Sequence, residues 1–396
     1  MIRFGVAIST SLAGAAEAAR EAAALAGERL GNTRVAMALV FASASYDDVA
    51  AVPRAVEPAL GGAPLLGGTA GGAVFDEHGV ARRGVLVALV GGDDVRATVS
   101  SAAASSPELL ETIPAAAGIL GEADAAARVG FEEALCLAFA PGVRVDGDAF
   151  VAAVRKGTAA RMQLAGGLTG DDFTMDRARV FAEGEAHADR VVLAGLFTRR
   201  RVGIATRHGL QLIGPSRRVS ASDGPWIVAL DGRPAFDVWA EDARAAGGTP
   251  PAGLKERQLY LANHFPLGME VTSLPEPVVR VPMEVRDDGA VRIGVVGEGA
   301  RFQLMRAAPP GMLGASQAAA DLARDRLGER AGGAFVFSCC GRLAVLGERF
   351  GEEPRAVSRA LRAPIAGVCV YGEIARAHRE VDAFHNHTAV VVALPS

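Results

Sequence analysis

A repeated rhythm limits the fold of this chain most. Short apolar runs of β-prone residues are separated by helical stretches, and several of them close on glycine corners. Arg3–Ser9 (RFGVAIS) and Arg34–Ser43 (RVAMALVFAS) read as strands, with an alanine-rich helix over Ser11–Leu30 between them. Ala63–Phe75 (APLLGGTAGGAVF) reads as a strand, a glycine corner and another strand, and Gly84–Gly92 returns as a further strand. Glu132–Ala140, a helix over Asp148–Met162 and the corner Leu164–Phe173 (LAGGLTGDDF) repeat the theme. This pattern predicts an α/β fold with buried sheets. Two related halves with mixed β-sheets flanked by helices are expected, the sheets packing face to face in a four-layer αββα arrangement.

A length of 396 residues suits two or three domains. The Gly-, Pro- and Ala-rich stretch Ala243–Glu256 is the expected boundary, dividing the chain into residues 1–242 and 243–396. Beyond it, Val278–Gly297 carries a hairpin signal around Asp-Asp-Gly. Three segments share a plan: LLGGTAGG, LAGGLTGDD and IAGVCVYGEI. They are read as equivalent crossings between sheets in a duplicated architecture.

Charge and composition narrow the function. There are 41 basic and 45 acidic residues, net −4, and no basic block. The densest cluster, Thr198–Gly203 (TRRRVG), reads as a solvated hairpin loop, so nucleic-acid binding is not expected. Glycine and charge interrupt every apolar stretch short of a bilayer span, and the N-terminus reads as a strand rather than a signal peptide. No membrane insertion is expected. Four cysteines without a disulfide pattern fit a reducing, cytoplasmic location.

Candidate site residues sit at the ends of apolar runs. In the first corner, backbone N–H groups around Gly68, Thr69 and Gly71 could hold a carboxylate or phosphate, although the lysine of a nucleotide P-loop is missing. The alternative is a tight strand junction that only glycine permits. Asp171 and Asp172 at the second corner could serve a pocket or a turn. Phe337–Phe350 (FSCCGRLAVLGERF) holds Cys339 and Cys340 side by side, with His378, His385 and His387 downstream. A catalytic thiol would need a lowered pKa and a base. If the strand continues through both cysteines, they face opposite sides. Cys340, His385 and His387 would fall short of the four ligands of a structural zinc site, so no metal centre is expected. Arg342 could grip a ligand carboxylate in a bidentate way, or pair with Glu348 or Glu373. Tyr371 and Glu373 fall on one face of an extended segment, and Asn386 stands at a strand entrance.

These blocks resemble the FIST sensory proteins, named for F-box and intracellular signal transduction proteins. The N-terminal half is similar through GGTAGG (Gly67–Gly72), AGGLTGDDF (Ala165–Phe173) and SASDGPWIVALDGRPAFDVW (Ser220–Trp239). Its first corner lacks the cysteine and glutamate that many relatives carry there. The C-terminal half is similar through VFSCCGR, GVCVYGEI and FHNHTAVVVAL, which match Ser338, Cys339, Gly341, Arg342, Gly372, Glu373, His385, Asn386 and Thr388 to the family pattern. Cys340 falls on a variable position. The resemblance implies a stand-alone cytoplasmic sensory module that binds a small molecule, such as an amino acid or related carboxylate, and passes its signal to a partner protein. A protein-interaction scaffold and a cysteine-dependent enzyme are the competing readings, with binding expected over catalysis.

Overall fold

The computed structural model describes residues 1–142, 144–271, 276–377 and 381–396; His378 lies outside them. Two similar α/β halves are present, each with mixed sheets flanked by helices and a roughly αββα layering. Three nine-residue strands, Val35–Ser43, Glu133–Pro141 and Ala331–Cys339, lie at the centres of three sheets. Their near-continuous apolar character follows from burial on both faces. Each pairs in parallel with the strand that follows it after a helical crossover: Leu65–Ala70, Gln163–Thr169 and Ile365–Val370 respectively.

The strand order is the same in all three sheets. The first runs Arg3–Ser9, Val85–Gly91, Val35–Ser43, Leu65–Ala70, then the hairpin 180–187. The second runs Val95–Ala103, Arg190–Thr198, Glu133–Pro141, Gln163–Thr169, then the antiparallel pair Glu373–Ala377 and Val381–His385. The third runs Gly203–Arg207, Ala389–Pro395, Ala331–Cys339, Ile365–Val370, then the hairpin 74–81. Every such strand pair is lent by a different repeat from the one that owns the sheet, and the exchange closes in a ring. The same plan therefore occurs three times, twice within residues 3–198 and once within 203–395, and the three glycine-containing crossings are the points of exchange.

Helices Ala15–Leu30, Thr112–Ala127 and Pro309–Leu327 each pack on the first strand of their own sheet. Alanine and glycine bring helix and strand close. Ala15, Ala18, Ala19, Ala22, Ala23 and Ala26 are all buried, and a Cβ on Gly5 would stand 2.2 Å from the Ala26 carbonyl oxygen. A Cβ on Gly203 would stand 1.9 Å from that of Ala323 in the third repeat. The alanine bias is thus partly a packing requirement. Between the sheets, Phe139 meets Phe41 and Phe337 edge-on, with ring centroids 5.3 and 5.4 Å apart.

An eight-stranded sheet within residues 211–306 interrupts the third repeat. With helices Ala235–Ala245 and Leu254–His264 it has its own core, where Trp239 donates its indole N–H to the Phe265 carbonyl at 2.7 Å.

Two local readings are corrected. Thr198–Gly203 is not a hairpin loop, because the strands it joins belong to different sheets. The strand ending at Cys339 does not continue through Cys340, which begins the helix Cys340–Leu346.

Candidate ligand-binding site

The three crossings meet at one point. Gly71 N–H donates to Cys369 O at 2.6 Å, Gly170 N–H to Thr69 O at 3.1 Å, and Tyr371 N–H to Leu168 O at 2.8 Å. Each bond links equivalent positions of successive repeats. Only one of the three donors carries a side chain. A Cβ on Gly170 would lie 2.4 Å from the Gly71 Cα and 2.8 Å from the Tyr371 ring, and one on Gly71 would lie 3.2 Å from that ring. The two glycines are therefore demanded by crowding. Gly68 is crowded too, since its Cβ would stand 2.3 Å from Arg179 O. Thr69 Oγ1 donates to Gly170 O at 2.6 Å and accepts from Arg179 N–H at 2.9 Å.

Tyr371 carries the junction into the loop that follows the second corner. Its hydroxyl donates to Asp171 and accepts from Phe173 N–H at 2.6 Å. The Asp171 carboxylate also receives the N–H groups of Met175, Asp176 and Arg177 at 3.0, 2.6 and 2.7 Å. Burial raises the Asp171 pKa, but the tyrosine and the three amides outweigh it and hold the carboxyl below its usual value. Burial and the Asp171 bond push the Tyr371 phenol up. The cage fixes a loop in which Asp172, Phe173 and Met175 have left-handed φ of 59°, 66° and 66°. Burial raises the Asp172 carboxyl, with a further push from the Asp171 charge, against the Ser45 amide and Arg82, which lower it.

Arg342 lies on the short helix Cys340–Leu346 and has no exposure, like Glu353 eleven residues on. Its Nε and Nη2 donate to Glu353 Oε2 at 2.9 and 2.6 Å. Nη2 also reaches Ser316 Oγ at 2.6 Å and Met312 O at 2.7 Å, and Nη1 reaches the carbonyls of His208 and His387 at 3.0 and 3.2 Å. Ser338 and Ser316 hydroxyls donate to the two oxygens of Glu353 at 2.6 and 2.9 Å. The protein carboxylate paired with Arg342 is thus Glu353, not Glu348 or Glu373.

Glu373 is buried beside this cluster. Its Oε2 accepts from Thr388 N–H and Oγ1 at 3.0 and 2.7 Å, and its Oε1 has no hydrogen-bond partner among the described residues. Burial raises its pKa well above the usual 4.5. His387, with a left-handed φ of 55°, points Nε2 at Ala262 O at 3.1 Å. Burial, aided by Arg342, pushes its pKa down to about 3. His385 Nε2 lies 3.3 Å from Ala375 O. Cys340 contact and burial raise the Cys339 thiol, so it lacks the depressed pKa of an activated nucleophile. Among the described residues no group of three or more His, Cys, Asp and Glu side chains could hold a metal ion.

These two shifted groups give a pH prediction. Glu373, raised in the fold, contributes stability that is full below about pH 4.5 and is lost as pH rises towards its folded value. His387, lowered in the fold, contributes stability that is full above about pH 6.5 and is lost as pH falls towards 3. The slopes oppose each other between about pH 4.5 and 6.5. Glu373→Gln removes one slope. Its stability relative to the unsubstituted protein should therefore improve by up to about 1.4 kcal/mol per pH unit above pH 4.5. Urea melts of both proteins at pH 5 and 7 read this directly. A difference that does not change with pH contradicts it.

Tyr371 and Asn386 are the two sequence candidates that line an open cleft, which has a volume of 460 Å³. Its walls bring Arg144, Asp146 and Asp148 from the start of helix Gly147–Gly157 against Glu284 and Arg292 of the inserted unit. Arg280 ties that unit down, donating to Asp148 Oδ1 at 2.8 Å and to Phe384 O at 2.9 Å. Val281 N–H donates to Asn386 Oδ1 at 3.2 Å. Burial raises the Asp148 carboxyl against the opposing pull of Arg280. Arg292 pairs with Glu284 at 2.7 Å. Arg144 is exposed and has no ion-pair partner among the described residues. The sequence reading missed Arg144, Asp146 and Asp148. The signal available for them was the acidic cap of VRVDGDAF, where Asp146 accepts from Ala149 N–H at 2.9 Å.

The FIST N domain matches residues 36–233 and the FIST C domain residues 235–376. A search of curated proteins found no match. Among solved structures, a cyanuric acid hydrolase from A. caulinodans aligns at 12% identity over 50% of this chain and 71% of its own, with a TM-score of 0.28. A chorismatase aligns at 10% identity over 100% of this chain and 98% of its own, with a TM-score of 0.36. Likenesses this distant carry no weight for function.

Proposed function

The chain belongs to the FIST family, and from that premise we propose that it is a cytoplasmic sensory module that binds a small amino acid or related carboxylate. FIST domains are sensory and signalling modules. Among the described residues no helix is long and apolar enough to cross a membrane.

The observation that carries the ligand reading is the mixture of charges in the cleft beside Tyr371. Arg144 offers an uncommitted guanidinium to a carboxylate, while Asp146 and Glu284 present carboxylates of the kind that would receive an ammonium group. Leu168, Met175 and Ile293 give apolar surface for a side chain. Asn386 and Arg280 join the inserted unit to the sheets at the cleft wall. A ligand bridging Arg144 and Glu284 would favour one setting of that unit and so alter the surface offered to a signalling partner.

Calorimetric titration of the full chain with the common amino acids and related carboxylates tests this reading. Binding tighter than millimolar is expected for at least one of them, with affinity falling about tenfold or more in Arg144→Ala. Arg144 is exposed, so the substitution should leave the fold intact. Equal affinity in the variant would remove the cleft from the account.

A further inference from the structure

The arginine-rich segment Thr198–Gly203 has no part in the site above, yet it helps to build a second cleft. This one has a volume of 510 Å³ and lies at the end of the sheets opposite the crossings. Arg34 enters it just before strand Val35–Ser43, Arg96 from the start of Val95–Ala103, and Arg199 from just beyond Arg190–Thr198. Phe131 organises two of them. The guanidinium of Arg96 lies 4.6 Å and that of Arg199 4.2 Å from its ring centroid. Arg199 is further held by the carbonyls of Val129 and Gly130 at 3.2 and 3.4 Å, and it lies 3.6 Å from Asp94. Asp94 is also engaged by the terminal amino group. Arg34 and Arg96 have no ion-pair partner among the described residues, and Asp93 is the carboxylate on the cleft wall. Gly61 and Gly62 form the facing turn with φ of 58° and 85°, and a Cβ on either would meet open space.

Gathering three guanidiniums around one cleft, two of them on the same ring, costs repulsion, which a bound anion would relieve. Arg34, Arg96, Arg199 and the terminal amino group set against Asp93 and Asp94 leave two positive charges to be matched. That suits a phosphate group, which carries about −1.5 to −2 at neutral pH and offers three acceptor oxygens. It suits a single carboxylate less well. The planar fork of arginine fits phosphate oxygens in a bidentate way. We propose that the cleft bounded by Arg34, Arg96, Arg199 and Phe131 is a second ligand site, specific for a small phosphate-bearing ligand. Its residues do not overlap those of the cleft beside Tyr371, so either site can fail without the other.

The test is calorimetric titration of the full chain with inorganic phosphate, pyrophosphate and, as the carboxylate arm, citrate. Pyrophosphate is expected to bind more tightly than citrate, with affinity falling as sodium chloride rises from about 50 to about 200 mM. The double variant Arg34→Ala/Arg96→Ala should lose about tenfold or more in pyrophosphate affinity, whereas Arg144→Ala should not change it. Both arginines are exposed, and an unchanged circular-dichroism melt would verify the fold of the variant. Absence of pyrophosphate binding up to about 10 mM would overturn the proposal. So would a smaller loss in the double variant, or citrate binding as tightly as pyrophosphate.

Discussion

Replacing Glu353 by alanine is expected to cost about 3–5 kcal/mol of folding stability. The substitution strands the Arg342 guanidinium where neither side chain has any exposure. The surrounding groups cannot replace the lost charge, because the other partners of Arg342 are the Ser316 hydroxyl and three backbone carbonyls. Ser338 loses its acceptor on Glu353 as well. Arg342→Lys should rescue little of the Arg342→Ala loss, since one ammonium cannot span Glu353, Ser316 and carbonyls on three segments. Urea denaturation reads these costs as a lower midpoint at an unchanged slope. The opposite pattern, a loss of ligand affinity with stability unchanged, would mean that Arg342 serves the ligand rather than the scaffold. The cluster joins strand Ala331–Cys339, helix Pro309–Leu327, helix Glu352–Leu361 and the segment at His387, so its loss should be felt across the whole third repeat.

Phe139→Ala should be nearly as damaging, at about 3–5 kcal/mol. Phe139 is fully buried and is the middle of three rings, in edge contact with Phe41 on one side and Phe337 on the other. Truncation removes two ring pairs, each worth about 0.5–1.5 kcal/mol beyond its buried area. It also leaves a cavity between sheets whose strands interlock and cannot readily collapse. Phe41→Ala and Phe337→Ala each break one of these pairs and should cost less than Phe139→Ala. If all three substitutions cost the same, the central ring has no special place in the packing.

These rings also show what the sequence made legible. The apolar runs identified the central strands, and the glycine corners identified the crossings. Their likeness suggested duplication, yet the third copy was hard to see because residues 211–306 intervene before its central strand. A signal was present all the same. VAMALVFAS, EALCLAFAP and AGGAFVFSC are nine-residue strands with phenylalanine at the seventh place. The partner of Arg342 was harder still. Glu352 and Glu353 read alike, as acidic residues opening a helix, but Glu352 pairs with Arg349 at the surface while Glu353 turns inward. Only the path of the turn Gly347–Gly351 distinguishes them. Tyr371 and Glu373, expected on one face, diverge towards Asp171 and Thr388 because the chain bends at Tyr371–Gly372 before the next strand begins. The cleft residues Arg144, Asp146 and Asp148 were missed for a different reason. A charged loop entering a helix looks the same whether it faces solvent or a neighbouring unit, and it is the inserted sheet that makes it a wall.

The central claim is that a small zwitterion or carboxylate occupies the cleft between Tyr371 and the inserted unit. A crystal structure of the full chain with its tightest-binding amino acid or carboxylate tests it most directly. Ligand density is expected in the 460 Å³ cleft, with the carboxylate within hydrogen-bond reach of Arg144. Density elsewhere on the molecule, with this cleft holding only solvent, would contradict it.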